Sequence, residues 1–427
     1  MTNTPENKRI LIVAYHFPPC KTSSGIQRTL KFCTYLREYG WDPLVLTISP
    51  IAYETTSLDQ VREIPKDVVV ERAFGLDTSR HLAIAGRYFR WMAQPDRWIG
   101  WWPGAVWTGM RMIKRYQPAV IMSTFPIATA HRIGLSLQKK SGLPWVADFR
   151  DAMTEPDYPR DPSTWKIHRK LEQEIVQHCT KAVFTTEPAR QMYADRYPEY
   201  PAAHWDVIEN GFDEENFRDA ESGIDPAPLG ASGQLTLVHS GVLYPIERDP
   251  RPLFSALSRL KHTAQIDASR LRIVLRATGA DDLYRPMLSE LGIADIVHLE
   301  PVIGYRDALQ EMLRADALLL LQGDDCDQQI PAKIYEYFRS GTPILALVGP
   351  HGITASKLRQ AGVLDIADIT DADDIAGSLL NLIQRVRSGN GVGVSREFAA
   401  RNSRKARSAE LANILNELTS TSASLPA

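Results

Sequence analysis

The stretch DQQIPAKIYEYFRSGTPILAL, residues 327–347, combines a helix and a strand in a pattern typical of α/β proteins. Pro331 suits the first position of a helix and Gly341 suits the C-cap, so the spacing predicts a helix between them. An apolar run follows at residues 344–348, and another precedes the helix at 317–321. Strand, helix and strand in this order predict a unit with parallel strands.

The same alternation extends through most of the chain. Short β-rich runs separated by segments of helical period occur at 10–14, 44–47, 119–123, 145–149, 183–186 and 207–208, and again at 235–239, 272–275 and 296–299. This pattern predicts an α/β chain with two doubly wound, Rossmann-like domains in series. A ligand is expected between the carboxyl ends of the two sheets.

The domain boundaries are predicted from composition. Residues 220–234 are rich in Gly, Pro, Ser and Ala and poor in large apolar residues, which is typical of a linker. We therefore expect an amino-terminal domain at 1–219 and a carboxyl-terminal domain at 235–394. An amphipathic helix at 395–418 is expected to pack back across the domains, followed by a frayed tail at 419–427.

The composition excludes several classes of protein. The chain has 427 residues, with 49 Lys and Arg against 51 Asp and Glu, so neither wholesale disorder nor bulk binding of polyanions is expected. The start of the chain is typical of a first strand and not of a signal peptide, and no apolar run is long enough to span a bilayer. Four widely spaced cysteines indicate reduced thiols in a cytoplasmic protein.

The helix within 327–347 places Lys333, Glu336 and Tyr337 on one face of its first two turns. A lysine at the amino end of a helix is repelled by the helix dipole. An anionic partner such as phosphate would interact favourably with both the lysine and the dipole. Glu336 could accept hydrogen bonds from two hydroxyl groups, as a ribose offers. The alternative is a surface pair of Lys333 and Glu336 that contributes little to stability.

A second basic element follows the strand at 235–239. Ser240 and Gly241 end this strand, and Arg248 and Arg251 precede the next helix. The planar guanidinium group suits bidentate contact with phosphate. A solvated loop is the alternative, but this loop and Lys333 are both predicted at carboxyl ends of strands in one sheet.

In the first domain, Gly25 opens a helix after the first strand, and Gly40 is expected to be the C-cap of that helix. A glycine there lets backbone N–H groups approach an anion closely, although an ordinary turn between strand and helix is an equal alternative. The G-x-G-x-x-G fingerprint of NAD enzymes is absent.

Four motifs carry a resemblance to a known family. The pattern FPP, SG and QR within 17–28, VIENGFDEENF at 207–217, SGVLYPIERDP at 240–250 and IPAKIYEYFRSGTPILAL at 330–347 resemble the retaining GT-B glycosyltransferases of family 4, in the expected order over nearly the whole chain. The stretch PWVADFRDAMTEPD at 144–157 resembles a bacterial branch that makes surface polysaccharides and glycolipids.

The resemblance implies a nucleotide-diphosphate sugar, a UDP- or GDP-sugar, bound mainly by the second domain without a metal. Its diphosphate is held by residues matching Arg248 and Lys333 and its ribose by the match of Glu336. Gly241, Ile330 and Ala332 are further residues implied in donor binding, the last through the backbone amides at Ala332 and Lys333, and a glycine loop is matched by Gly25. The chain departs from the family pattern at three positions, where it has Ser24, Val242 and Gln328. Gln328 replaces a glutamate that contacts the donor sugar.

The resemblance also implies roles in the first, acceptor-binding domain. His131 matches a histidine that contacts the sugar near the reacting centre, with a histidine on the helix surface as the alternative. Asp148, Arg150 and Asp151 are candidates for orienting the acceptor, and Asp151 for assisting its deprotonation. The alternative is a network of Asp and Arg that braces a loop.

Two further features leave alternatives open. The acidic residues Asp324, Asp325 and Asp327 could suggest a divalent cation, but a solvated loop is favoured and no metal site is predicted. Residues 80–115 hold seven Lys or Arg, only one acidic residue and five of the nine tryptophans. That segment suits peripheral contact with the inner face of an anionic membrane, with packing of the indole rings in the core as the alternative.

We therefore predict an enzyme, a retaining glycosyltransferase that moves a hexosyl-type sugar to a hydroxyl group of a bacterial glycan, glycolipid or related secondary metabolite. No nucleic-acid partner is expected. Two alternatives remain: a nucleotide-sugar epimerase, which would turn over without an acceptor, and a catalytically impaired pseudo-transferase that binds nucleotide or glycan, which the changes at Val242 and Gln328 motivate.

Overall fold

A computed structural model describes residues 8–21 and 25–421. The chain forms two compact units. The first contains the described residues up to Asn210 together with those from Arg404 onward, and the second is Gly211–Ser403. Residues 23 and 24 of the predicted glycine loop and residues 422–427 of the predicted tail lie outside the described residues.

The first unit is built on a parallel sheet of seven strands in the order β3-β2-β1-β4-β5-β6-β7. The strands are β1 (Lys8–Val13), β2 (Trp41–Ile48), β3 (Val69–Ala73), β4 (Val120–Thr124), β5 (Trp145–Arg150), β6 (Lys181–Phe184) and β7 (Trp205–Val207). The helices are α1 (Gly25–Tyr35), α2 (Thr78–His81), α3 (Trp101–Tyr116), α4 (Ala128–Ser141), α5 (Pro162–His178) and α6 (Glu187–Arg196). Gly40 follows α1 and its short 3-10 extension with a left-handed φ of 80°, which confirms it as a C-cap.

The second unit has a parallel sheet of six strands in the order β10-β9-β8-β11-β12-β13. The strands are β8 (Leu235–Ser240), β9 (Leu271–Arg276), β10 (Val297–Glu300), β11 (Ala317–Gln322), β12 (Ile344–Val348) and β13 (Asp365–Asp368). The helices are α7 (Glu214–Glu221), α8 (Arg251–His262), α9 (Asp281–Glu290), α10 (Tyr305–Arg314), α11 (Lys333–Ser340), α12 (Ile353–Gln360), α13 (Ala372–Arg387) and α14 (Arg396–Arg401). One more helix, α15 (Arg404–Thr421), returns to the first unit.

Both faces of each sheet are buried, and this explains the aliphatic strands. In β11, Leu318 and Leu320 enter one core cluster of the second unit, whereas Leu319 and Leu321 enter the cluster on the other face. Alternate residues of a strand point to opposite faces, so a continuous apolar run satisfies helices on both sides. All the strands predicted from such runs are present.

The prediction missed two strands, β3 and β13. Both are edge strands and carry charged residues, with the sequences VVERA and DIAD. An edge strand is partly exposed and does not need a continuous apolar run, so the sequence signal is weak.

The boundaries of the two units differ from the predicted domain boundaries. Phe217 and Ala220 are buried in the second unit, and Arg339 forms ion pairs with Glu214 and Glu221 at the two ends of α7. Most of the predicted linker at 220–234 therefore follows a helix that packs on the second unit. The helix predicted at 395–418 is divided into α14, which belongs to the second unit, and α15, which belongs to the first.

No helix in the described ranges is long and apolar enough to cross a membrane. All four cysteines are buried thiols.

Candidate functional site

The side chain of Lys333 marks the most distinctive polar site of the second unit. Lys333 is the first residue of α11, and its Nζ donates to the carbonyl oxygen of Ser240, the last residue of β8, at 2.8 Å. Its Nζ also lies 3.3 Å from His239 Nε2. The ammonium group is thereby held at the carboxyl end of a central strand of the sheet.

His239 is fully buried and orients the side chain of Lys333. Its Nδ1 lies 2.9 Å from the carbonyl oxygen of Leu319 on the neighbouring strand β11. A carbonyl only accepts hydrogen bonds, so we assign the ring proton to Nδ1, which leaves Nε2 as an acceptor for Lys333. Burial, followed by the charge of Lys333, lowers the pKa of His239 well below its usual value, so the ring is neutral.

Gly241 provides the space for this ammonium group. It follows β8 with a φ of 124°, and a Cβ added there would lie 2.9 Å from Lys333 Nζ. Any larger residue would adopt a strained backbone conformation and displace the lysine. The predicted glycine at the end of the strand is therefore explained by a close approach of a charged group.

Arg248 lies near the carboxyl ends of β8 and β11, as Lys333 does. Its Nη1 donates to the carbonyl oxygen of Val242 at 3.1 Å, and its Nε to Gln322 Oε1 at 3.4 Å. Arg251, the other predicted arginine, is exposed and forms an ion pair with Asp249 at 2.7 Å. The structure thus separates the two arginines: only Arg248 approaches the lysine closely enough to affect its pKa.

The two cations, Lys333 and Arg248, lie close enough to repel each other. Burial and the charge of Arg248 lower the pKa of Lys333 from 10.5 to about 7, although the nearby charge of Glu336 acts in the opposite direction. Like charges close together disfavour the charged form of both, and an anion between them would reverse that effect. The site is therefore suited to a polyanionic group.

Backbone N–H groups add to this suitability. Ala332 caps α11 in a helical conformation, and among the described residues no side chain caps this end of the helix. The helix begins at Lys333 and not at Pro331, because the bond from Ile334 N to Pro331 O is the tighter bond of a 3-10 turn. Ile330 anchors the preceding segment in the core. Because Ile334 N and Tyr335 N are bonded within this turn, the N–H groups of Ala332 and Lys333 are the ones that suit an anion at this helix start.

Glu336 lies one turn further along α11. The hydroxyl of Tyr305, at the start of α10, donates to Glu336 Oε1 at 2.6 Å. Tyr337 is fully buried and donates to the carbonyl oxygen of Leu319 at 3.3 Å, so it does not share an accessible face with Lys333 and Glu336 as predicted. Gln328 is exposed in the loop that follows β11. Gly341 ends α11 with a φ of 69°, which confirms it as the C-cap.

The acidic loop before α11 packs on another loop. The carboxylates of Asp324 and Asp327 lie against Gly349 and Gly352. Burial and the neighbouring charge of Asp324 raise the pKa of Asp327. Within residues 8–21 and 25–421, no group of three or more His, Cys, Asp or Glu is arranged to hold a metal ion.

In the first unit, Asp148 braces the fold. It is fully buried and accepts hydrogen bonds from Arg28 at 2.9 Å and 3.1 Å and from Thr124 at 2.9 Å. Arg150 has a left-handed φ of 60° and donates to the carbonyl oxygen of Phe125. Asp151 differs from both, because its side chain is exposed and accepts one long hydrogen bond from Thr185 at 3.3 Å. The bracing interpretation therefore describes Asp148, whereas Asp151 is accessible.

His131 lies in the core of the first unit. It is fully buried, hydrogen-bonds Ser123 through Nδ1 at 2.7 Å and packs against the ring of Phe149. Burial lowers its pKa to about 3. The interpretation as a histidine on the helix surface is wrong, because this side of α4 faces the sheet. A contact with substrate would need an accessible ring nitrogen, and the described structure offers none. Gly25 is buried at the start of α1.

Sequence reasoning missed three residues of the site in the second unit. Gln322 ends β11 and Tyr305 begins α10, and nothing in their local sequence indicates that they approach Arg248 and Glu336. His239 carried a usable signal, since a histidine in the aliphatic strand LTLVHS must find partners when it is buried.

Comparisons with known proteins identify the architecture. No protein family model and no curated protein sequence matches the chain. Solved structures do match it over almost its whole length. Sucrose-phosphate synthase from Thermosynechococcus elongatus is 13% identical with a TM-score of 0.66, covering 97% of this chain and 100% of that one. The chain has the GT-B fold.

Two further neighbours agree. HepE from Anabaena, in complex with UDP and glucose, is 14% identical with a TM-score of 0.65 and covers 96% of this chain and 100% of its own. The UDP-forming alpha,alpha-trehalose-phosphate synthase from Burkholderia xenovorans, in complex with glucose-6-phosphate, is 12% identical with a TM-score of 0.65 and the same coverage. At such identities the likeness shows the fold, and the predicted fold class is confirmed.

Proposed function

We propose that the chain is a retaining glycosyltransferase that moves a sugar from a UDP- or GDP-sugar to a hydroxyl acceptor. The observation that carries this proposal is the pair of cations, Lys333 and Arg248, beside the open amino end of α11, with space kept by Gly241. The similarity to HepE, whose structure holds UDP and glucose, supports a nucleotide-sugar donor. We further propose membership in the bacterial branch of family 4 that the 144–157 motif resembles.

The chemistry follows from where charge develops. Cleavage of the bond between sugar and diphosphate places negative charge on the leaving phosphate, and donors aimed at it in advance stabilise the transition state. One such donor is worth about 3 kcal/mol. Lys333, Arg248 and the backbone N–H groups near Ala332 would supply this stabilisation, so we propose that no metal ion is needed.

We propose that the configuration is retained by attack on the same face, with the leaving phosphate accepting the proton of the acceptor hydroxyl. Glu336 would bind the ribose and Gln328 the donor sugar. A glutamine both donates and accepts hydrogen bonds, so it can bind sugar hydroxyls in place of a glutamate. On the acceptor side, the exposed Asp151 is the residue we propose to orient a glycan or lipid-linked hydroxyl.

The test uses three alanine variants. Lys333→Ala and Arg248→Ala should each lower kcat/KM for the donor by about a hundredfold, the loss of one donor to the leaving group. Arg251→Ala is the matched control, since it removes an exposed arginine already paired with Asp249 from the same loop region. Near-normal turnover by either site variant would contradict the assignment of the phosphate site.

Product analysis separates the alternatives. With UDP- and GDP-sugars and an acceptor, a transferase forms a glycosylated product and the free nucleoside diphosphate. An epimerase would convert the donor without an acceptor. Tight binding of nucleotide without turnover across a broad panel of donors and acceptors would instead indicate a pseudo-transferase.

A further inference from the structure

Two neighbouring helices of the first unit, α3 and α4, form a positively charged surface. Helices α3 and α4 contain six basic residues and no acidic residue. They pack against each other, and α4 packs in turn against α5. The six residues are Arg111, Lys114, Arg115, Arg132, Lys139 and Lys140. Among the described residues, none of the six forms an ion pair with an acidic side chain. We call this surface, together with Trp107 and Lys170, the basic helical face.

Two depressions flank α3 on this face. The first, of about 350 Å³, lies between α3, α4 and α5, and its charged lining consists of Arg132, Lys139, Lys170 and the single carboxylate Glu174. The second, of about 480 Å³, lies between α3 and β3, with the charged lining Arg111, Lys114, Arg115 and Glu71. Each depression thus joins three cations to one carboxylate, and each is large enough for a phosphate group.

The helix between the depressions, α3, also carries an exposed indole. The side chain of Trp107 is 63% exposed, and the guanidinium of Arg111 lies 4.6 Å from the centre of its ring. By contrast, Trp101 is fully buried, and Trp98 and Trp102 pack against the core. Core packing therefore explains these three tryptophans of the 80–115 segment but not Trp107.

The segment before α3 adds exposed aromatic rings. Phe89 and Trp91 are 71% and 73% exposed and stack on each other, with ring centres 6.4 Å apart. Thr78 holds this segment near the stretch that leads into α3, because its hydroxyl donates to the carbonyl oxygen of Met92 at 2.9 Å and its N–H to that of Arg97 at 2.8 Å. Exposed aromatic rings without a polar partner are costly in water but are stabilised at the headgroup level of a bilayer.

We propose that the basic helical face binds the surface of an anionic membrane, with lipid phosphate groups in the two depressions and Trp107 in the headgroup region. A single-stranded nucleic acid would need open aromatic faces on which its bases stack. Here Phe89 and Trp91 stack on each other, and Arg111 lies over the ring of Trp107, so the arrangement favours a membrane surface. Basic side chains gain about 1 kcal/mol each near an anionic leaflet, which is about fivefold in binding. This proposal goes beyond the donor site and does not depend on it.

The test measures co-sedimentation of the full chain with vesicles of phosphatidylcholine alone or mixed with phosphatidylglycerol. We expect binding to the anionic vesicles only, weakened by salt. The double charge reversals Lys114→Glu with Arg115→Glu, and Lys139→Glu with Lys170→Glu, should each weaken binding by about tenfold or more. The control, Arg285→Glu with Arg396→Glu, makes the same change in charge at exposed residues of the second unit and should bind normally.

The role of Trp107 is tested separately. Phospholipids brominated in the acyl chain should quench tryptophan fluorescence in anionic vesicles, and Trp107→Phe should reduce that quenching while circular dichroism stays unchanged. Equal binding to neutral and anionic vesicles, or equal losses in control and test variants, would overturn the proposal. So would binding to a soluble polyanion such as single-stranded DNA that matches vesicle binding and is insensitive to Trp107→Ala. Binding of UDP, measured in parallel, reports on the donor site independently.

Discussion

Lys333 is the residue on which the candidate donor site depends. Within the described part of the chain, its ammonium group has only neutral acceptors at hydrogen-bond distance, the carbonyl oxygen of Ser240 and the ring of His239, and it is close to the positive charge of Arg248. A pKa of about 7 leaves the amine partly neutral when the site is empty. A bound diphosphate would raise that pKa and restore the charge.

This leads to a prediction about pH. Below pH 7 Lys333 is already protonated, so donor affinity should be constant there, whereas above pH 7 each binding event must take up a proton and affinity should fall. Titration calorimetry with UDP-glucose or GDP-glucose at pH 8, in buffers of different ionisation enthalpy, measures that uptake. In Lys333→Arg the guanidinium stays charged, so the uptake should disappear. The same uptake in both proteins would contradict the assignment.

His239 should act by positioning Lys333. In His239→Leu the lysine loses an acceptor, so the donor KM should rise by about tenfold, the usual scale for a hydrogen bond to a charged group, with a smaller effect on kcat. His239→Gln can still accept from Lys333 and should recover most of the affinity. Steady-state kinetics of the two variants decide this, and equal losses in both would indicate that His239 matters only for packing.

Gly241 offers a test of the space around the ammonium group. A Cβ at this position would lie 2.9 Å from Lys333 Nζ, so Gly241→Ala should weaken donor binding strongly. Gly279→Ala is the control: Gly279 also has a left-handed φ, of 74°, but its Cβ would meet only Val242 at an ordinary 3.5 Å. If both variants lost donor affinity equally in a binding titration, backbone strain and not displacement of the lysine would be the cause.

At the scale of elements, α15 is the clearest case of a helix placed by tertiary packing. Leu411 and Leu415 are fully buried in a core cluster of the first unit that also contains Ile12 and Trp41. The side chain of Trp41 also donates to Asn416 at 3.1 Å. The last helix of the chain therefore completes the core on one face of the first sheet.

Leu415→Ala should lower the free energy of unfolding of the first unit by about 2–5 kcal/mol, because it leaves a cavity in a fully buried cluster. Leu58→Ala, at a leucine of the same unit that is 72% exposed, should change it by no more than about 0.5 kcal/mol. Urea denaturation followed by tryptophan fluorescence measures both. A small effect of Leu415→Ala would show that α15 is not part of that core.

At the scale of the whole molecule, the first unit is discontinuous. The chain leaves it after Asn210, forms the second unit, and re-enters it at Arg404. The stability of the first unit therefore depends on residues that are separated from most of its sequence by the entire second unit, whereas the second unit is built from one continuous segment.

A chain that ends at Ser403 should lose stability in the first unit only. Limited proteolysis with mass spectrometry should show rapid cleavage before residue 211 and protection of the second unit, since the latter keeps its own core clusters. The full-length chain is the control. Equal protection of both units in the shortened chain would contradict the assignment of α15 to the first unit.

The central and edge strands of the two sheets show how much of the fold local sequence can predict. The central strands were predictable because burial on both faces demands a continuous apolar run, as in Leu318–Leu321 of β11. The edge strands β3 and β13 were not, because charged residues interrupt them, which exposure at an edge permits, whereas the other two edge strands, β7 and β10, were recognisable from short apolar runs at 207–208 and 296–299. The division of the 395–418 segment between two units was equally hidden, since one amphipathic pattern fits packing on either of them.

Local sequence is sufficient to predict the α/β class, the central strands and the caps at Gly40 and Gly341. It also singles out Gly241, Arg248 and Lys333 after strands of the second unit. Each of these depends on local backbone conformation or on burial of a short segment, which neighbouring residues encode. Packing between distant parts of the chain determines that Arg248 and not Arg251 approaches Lys333, that His239 and Tyr305 complete the site, and that His131 is buried. Those contacts join residues far apart in the chain, and strand order and helix packing bring them together.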